Sequence, residues 1–349
     1  MKEAMLYQQL DEKRVKCMLC AHYCLIRDGK RGICLVRENH GGTLYTQAYG
    51  KSNSQGIDPV EKKPLFHFHP GSSTFSIATA GCNFHCRFCQ NWQISQVLRD
   101  GGSIWGEELP PERVVTLAQE TGCQSIAYTY TEPTIFFEYA YHTAKLAHQA
   151  GLSNIFVTNG YMTPEALETI KPYLAAANVD LKSFDNAFYR KWVGAKLQPV
   201  LDTLKLMKKL DIWLEVTTLI IPTLNDSEDN LRQIASFVAQ ELGASTPWHI
   251  SRFYPAYDLG HLPQTPIEVL HRARHIGLEA GLRYVYEGNV PGSEGENTYC
   301  YNCGSLLIGR YGHTLVDKST RPLGTLRVEN KTVASHCYHC GADIDGVGI

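Results

Sequence analysis

No apolar run in the 349-residue chain approaches the length of a membrane span. The best one, VTTLIIP at residues 216–222, stops within seven residues, whereas a spanning helix needs roughly 20. Net charge is also scarce. A formal charge of -2 and a pI near 6.7 provide no basic excess, so a phosphate-driven nucleic-acid binder is not the default reading. The first residues, MKEAMLYQQLDEKRV, are charged throughout and lack the apolar core of a secretory signal. These absences lead to the expectation of a soluble, cytoplasmic protein without membrane or nucleic-acid partners. At 44% hydrophobic residues the chain can bury a full core, as one large domain with appendages or two ordinary ones.

Cysteine, by contrast, is abundant, and its twelve copies are clustered. Four lie at Cys17, Cys20, Cys24 and Cys34, three at Cys82, Cys86 and Cys89, and four at Cys300, Cys303, Cys337 and Cys340; only Cys123 stands alone, as a small core residue near the start of a strand. Disulfides are rare in a reducing compartment, so clustered cysteines point to metal or redox chemistry.

From about residue 74 short β-branched runs alternate with helical patterns. Strands are expected at 74–80, 125–130, 154–158, 178–181, 213–221, 248–253 and 282–286. In TPEALETIKPYL, Thr163 is the expected cap and Pro164 the first helical residue, with Glu165 in the first turn. NDSEDNLRQIASFVAQELG has acidic residues at its start and Gly243 at its end. Serial β-α units imply parallel strands with crossover helices. One or two units short of eight, they predict an α/β fold, an open, partial (β/α)6-type barrel over residues 56–290. A Cys-rich metal-binding segment (1–55) precedes it and a zinc-ribbon-like or rubredoxin-like module (291–349) follows. Chemistry in such barrels sits at the carboxyl ends of the strands.

The stretch GCNFHCRFCQNW (residues 81–92) directly follows the first of these strands. Gaps of three and two residues let one loop hold three corners of an iron-sulfur cube through Cys82, Cys86 and Cys89. The fourth iron is then open to an amine and a carboxylate, which S-adenosylmethionine offers, and one electron splits the sulfonium bond to give a 5'-deoxyadenosyl radical. A zinc knuckle with a distant fourth ligand, or three core cysteines, are the alternatives.

CNFHCRFC, with Phe88 before its last cysteine, resembles the radical SAM superfamily. CQNWQIS is similar to the branch of the glycyl-radical activating enzymes, such as pyruvate formate-lyase activase. DPVEKKPLFHFHPG, YTYTEPTIF and YVYEGNVPG resemble the radical SAM member of the AmmeMemoRadiSam system. The resemblance implies cofactor contacts at the strand ends. Tyr130-Thr131-Glu132 stands where activases have Gly-Gly-Glu for the methionyl amine. Thr158-Asn159-Gly160 matches their Thr-Asn-Gly, although Val157 replaces their acidic residue, which weakens the case for a bound monovalent cation. Asp180-Leu181-Lys182 is intact, with Lys182 balancing a carboxylate. His249 and Arg252 of WHISRFYP stand where activases place a histidine beside the nucleoside. The resemblance also implies a one-electron donor of flavodoxin or ferredoxin type, and Memo-like and Ammecr-type partner proteins.

At the carboxyl end, CYNCG and CYHCG bring Cys300, Cys303, Cys337 and Cys340 into two C-x2-C turns that favour tetrahedral zinc, with a rubredoxin-like iron as the rival. The stretches LLIGRYGHTLVDKS and GTLRVENKTVA between them read as short strands. The set C-x2-C-x3-C-x9-C of Cys17, Cys20, Cys24 and Cys34 can hold a second iron-sulfur cluster, or zinc with His22 as a substitute ligand. Two functional classes follow: an enzyme that abstracts hydrogen from a protein, peptide or small molecule, glycyl-radical activation being one form, or a metal-centred electron carrier or scaffold.

Overall fold

The computed structural model describes residues 1–316 and 335–349. Eight strands form one sheet in chain order: β1 (Ser54–Pro59), β2 (Ser73–Ala78), β3 (Ser125–Tyr128), β4 (Ser153–Thr158), β5 (Leu174–Asp180), β6 (Trp213–Ile220), β7 (Trp248–Arg252) and β8 (Val285–Gly288). β1 pairs antiparallel to β2, and every later pair is parallel. Between the parallel strands run α1 (Pro111–Glu120), α2 (Phe137–Gln149), α3 (Pro164–Ile170), α4 (Gln198–Lys209), α5 (Glu228–Phe237) and α6 (Ile267–Glu279). Six β-α units and a seventh parallel strand result, and β1 and β8 remain the two ends of an unclosed order. This is the partial (β/α)6-type barrel anticipated above, with an antiparallel edge strand added.

Local chemistry sets the boundaries. Thr163 accepts a hydrogen bond from the amide of Ala166 at 3.2 Å and so caps α3, with Pro164 following it. Ser227 caps α5 in the same way, and Glu228 and Asp229 face the positive end of its dipole. β5 begins at Leu174, four residues before the expected Asn178. Its LAAA run has poor strand propensity, but Ala176 and Ala177 are fully buried, where small side chains fit between two packed layers. The last strand starts at Val285 rather than Leu282. Of the two expected carboxyl-terminal strand stretches, GTLRVENKTVA (324–334) lies outside the described residues, and the other contains the short strands Leu306–Ile308, Arg310–Tyr311 and Thr314–Leu315.

The sheet separates two cores by strict alternation of side chains. Ile126, Tyr128, Phe156 and Ala177 point into the main apolar cluster with the helices. Their neighbours Ala127, Ile155 and Ala176 point the other way, onto Val60, Leu65 and Phe68, so residues 60–68 fill the barrel interior. The amino-terminal segment forms two small three-stranded sheets, and its Val15, Cys17, Leu19, Ile26, Val36 and Leu44 join the main cluster. The carboxyl-terminal cysteines instead centre a separate cluster with Leu307, Ile308, Ile344 and Ile349. Among the described residues no helix is long and apolar enough to cross a membrane.

Candidate functional site

The loop after β2 carries Cys82, Cys86 and Cys89, all free thiols. Burial pushes each thiol up from its ordinary range, Cys86 to about 12, so these sulfurs stay protonated unless an electropositive centre takes them as thiolates. Donors converge on them. The Phe84 amide lies 3.4 Å and Asn159 Nδ2 3.8 Å from Cys82 Sγ, and Ser95 Oγ is 3.0 Å from Cys89 Sγ. Nearby, the buried Asn83 Nδ2 and Thr79 Oγ1 have no partner among the described residues. Three desolvated sulfurs with unspent donors beside them fit an iron-sulfur cluster, whose sulfurs accept such hydrogen bonds.

The ends of β3 and β4 are fastened to this loop by Glu132. Its fully buried carboxylate accepts from Thr134 N at 3.0 Å, Thr134 Oγ1 at 2.5 Å, Thr158 Oγ1 at 2.7 Å and Asn159 N at 2.8 Å. Burial pushes Glu132 up, against these four bonds, which favour its charge. Asn159 then reaches the loop, donating to Asn83 Oδ1 at 2.7 Å. Gly160 follows with φ +69°; a Cβ there would lie 2.8 Å from Val179 Cγ1, so only glycine permits this approach. Thr131 is directed elsewhere, its hydroxyl donating to Thr79 O at 2.9 Å.

At the end of β5, Lys182 Nζ lies 2.8 Å from Asp180 Oδ2 and 5.9 Å from the centre of the Phe88 ring. Burial alone would lower Lys182, but Asp180 and Cys86 together hold it above the ordinary lysine range. A permanent cation therefore sits beside the cysteine loop. Tyr130 adopts the left-handed conformation (φ +62°) that glycine more readily supplies. Its hydroxyl donates to Asp58, and the Lys63 ammonium lies 4.4 Å from its ring centre and 2.6 Å from Asp58 Oδ2. That triad over-determines the strained residue.

His249 is not brought to the loop. It lies near the start of β7, 2.6 Å from Glu215 Oε2 and stacked on Tyr286 with ring centres 5.2 Å apart. Glu215 also accepts from the amides of Phe66 and His67. This buried polar floor lies within the barrel, and a lone glutamate in the apolar strand WLEVTTLI was the signal for it. Arg252 ends the same strand but donates to Thr265 O at 2.7 Å and lies over Tyr254, whose carbonyl accepts from Gln90 of the loop at 3.0 Å. Sequence reasoning missed Asn83, Thr134, Asp58, Lys63 and Glu215. Asn83 lies inside the quoted loop, and Asp58 and Lys63 inside DPVEKKP, where buried charges were the available cue.

Cys300, Cys303, Cys337 and Cys340 bring their sulfurs within 4.8 Å of one another, a spacing that fits a single metal ion. Their two turns have the same form. Gly304 and Gly341 both have φ +73°, and their amides donate to the carbonyls of Cys300 and Cys337, at 2.9 and 2.6 Å, rather than to sulfur. Cys17, Cys20, Cys24 and Cys34 all line one cavity at the edge of the barrel, together with His22, Arg37, Thr134 and Ile135. His22 is committed to the backbone, its Nε2 lying 2.8 Å from Asn83 O.

A family model described as the radical SAM superfamily matches residues 76–238. The chain is 49% identical over 346 residues to the uncharacterized protein MJ0808 of Methanocaldococcus jannaschii, covering 99% of both chains. It is 24% identical over 163 residues to the pyruvate formate-lyase-activating enzyme of Clostridium pasteurianum, covering 45% of this chain and 66% of that one. In fold it is similar to a radical SAM methyltransferase from Sphaerobacter thermophilus, with a TM-score of 0.50 and 16% identity over 68% of this chain and 71% of that one. A three-cysteine loop at the mouth of a partial barrel, with the matching family model across it, shows that this chain carries a domain of the radical SAM superfamily.

Proposed function

We propose that the chain is an enzyme in which Cys82, Cys86 and Cys89 hold a 4Fe-4S cluster and the strand ends bind S-adenosylmethionine. Together these groups supply one-electron cleavage of the sulfonium bond and a 5'-deoxyadenosyl radical for hydrogen abstraction from a protein, peptide or small molecule. The observation that carries this reading is the chain of bonds from Cys82 and Asn83 through Asn159 and Thr158 to Glu132. It fixes the loop against two strand ends in one rigid unit. Lys182, paired with Asp180, is the cation for the cofactor's carboxylate, and Glu132 the anion for its ammonium. A low-potential flavodoxin or ferredoxin supplies the electron.

Similarity to the Clostridium pasteurianum enzyme supports glycyl-radical activation as a second reading of the substrate. Partnership with Memo-like and Ammecr-type proteins rests on the resemblance of three segments to the AmmeMemoRadiSam enzyme. Those segments touch one another within the chain, Asp58 and Lys63 of the first meeting Tyr130 of the second, and Phe66 and His67 meeting Tyr286 of the third. We further propose zinc for the carboxyl-terminal site and a chain divided at residues 1–55, 56–290 and 291–349.

The test is to reconstitute the protein anaerobically, reduce it with dithionite, add S-adenosylmethionine and assay 5'-deoxyadenosine by mass spectrometry. Wild type should produce it, and Cys86→Ala should fall to the dithionite background. Zinc at these cysteines, or iron-loaded wild type at background, leaves only the carrier or scaffold reading.

A further inference from the structure

The amino-terminal cysteines are spaced differently along the chain from the carboxyl-terminal ones. The carboxyl-terminal set repeats one C-x2-C knuckle, and its pairs Cys300–Cys340 and Cys303–Cys337 are each 3.6 Å apart, close to the about 3.8 Å between thiolates on one tetrahedral ion. Cys17, Cys20, Cys24 and Cys34 follow gaps of two, three and nine residues, yet all four face one cavity and none forms a disulfide. Four thiols unevenly spaced along the chain around one space fit a cysteine-ligated iron-sulfur cluster, as the unevenly spaced Cys82, Cys86 and Cys89 do.

A charged donor reaches the site. Arg37, only 1% exposed and paired through Nη2 with Glu138, donates from Nη1 to Cys17 Sγ at 3.4 Å, the kind of hydrogen bond that a cluster's thiolate ligands accept. The cavity also abuts the site already described. Cys34 O would lie 3.2 Å from a Cβ on Gly81, the residue before Cys82, and Val36 Cγ1 3.0 Å from it. His22, between Cys20 and Cys24, meets Asn83, the residue after Cys82. Thr134, in the cavity wall, is the same residue that holds Glu132.

We propose that Cys17, Cys20, Cys24 and Cys34 hold a second iron-sulfur cluster that relays electrons to the cluster loop. One electron enters from a low-potential carrier protein, reduces this centre by one, and passes on across the shared wall to the centre at Cys82, Cys86 and Cys89; no bond is made or broken and no proton moves. The relay rests on the function proposed above, whereas the site itself does not.

Two variants test the parts separately. The triple variant Cys82→Ala, Cys86→Ala, Cys89→Ala, reconstituted with iron and sulfide, should retain iron and acid-labile sulfide and give, on reduction, an electron paramagnetic resonance signal that S-adenosylmethionine leaves unchanged. Zinc in their place, or no metal, overturns the site. The variant Cys24→Ser should keep the signal that S-adenosylmethionine perturbs and keep dithionite-driven 5'-deoxyadenosine formation, but lose formation driven by reduced flavodoxin. Equal rates with flavodoxin for variant and wild type, or equal losses with both reductants, overturn the relay. Should Cys24→Ser not fold, Cys34→Ser is read by the same two reductants.

Discussion

The two four-cysteine regions at the ends of the chain differ in what surrounds them more than in their ligands. The carboxyl-terminal sulfurs form two near-identical turns around one point, beside a small apolar cluster of their own. The amino-terminal cysteines are unevenly spaced along the chain, and the segment that carries them is part of the barrel core. A repeated knuckle is self-sufficient because each turn satisfies its own backbone. An irregular set needs the rest of the protein to position it. This suits the first arrangement to a structural ion and the second to a centre whose position relative to the cluster loop matters.

The largest effect that can break this contrast is loss of the carboxyl-terminal metal. Structural zinc contributes about 10–16 kcal/mol in small zinc-binding peptides, more than the small apolar cluster at Cys300 and Cys337 can replace. Chelation or Cys337→Ser should therefore open residues 291–349 to protease while the barrel keeps its cooperative thermal transition. Limited proteolysis with mass spectrometry measures this, and an intact module after metal removal removes the distinction. The next effect in size concerns Arg37, which pairs with Glu138 in a site where both side chains are almost wholly buried. Arg37→Met leaves that carboxylate buried with only the Met5 amide as a partner and no opposite charge, which costs about 3–5 kcal/mol. Urea unfolding should show that loss in the main transition. The matched pair at the other end, Arg283 with Asp345, is partly exposed, and Arg283→Ala should cost under about 1 kcal/mol. Equal losses would mean that the two ends are joined to the barrel alike.

Legibility followed the same division. The three-cysteine loop, the seven parallel strands and the cap at Thr163 depend on local spacing and periodicity, which a sequence displays. The network of Glu132, Thr158, Asn159 and Asn83 was half legible, because resemblance supplied the strand ends but only packing shows that Glu132 ties them together. The polar floor was hidden. Glu215, His249, Phe66 and Tyr286 come from distant segments, and their meeting is a property of the sheet register. Tyr130 was hidden for another reason: an aromatic residue in glycine's conformation contradicts local preference, and the Asp58–Lys63 pair that holds it begins 72 residues earlier. β5 was shortened in the sequence reading because alanines read as poor strand formers until two layers close on them.

The smallest effect sharpens the contrast most, because it alters no cysteine and no charge. Thr163 performs two tasks, accepting from Ala166 N as the cap of α3 and donating from its hydroxyl to Met18 O at 2.8 Å. Its amide also donates to Leu19 O at 3.2 Å, and Cys20 bridges Met162 beside it. The start of one barrel helix is thus bound to the backbone between Cys17 and Cys20. Thr163→Ala removes the hydroxyl and keeps the amide bond, at a cost of about 1 kcal/mol for the cap. If the amino-terminal centre depends on the barrel for its position, the variant should lose iron from that centre faster under mild chelation than wild type, while metal at Cys300, Cys303, Cys337 and Cys340 is released at the wild-type rate. Release from both ends at unchanged rates would show that the amino-terminal set positions itself, as the carboxyl-terminal knuckles do.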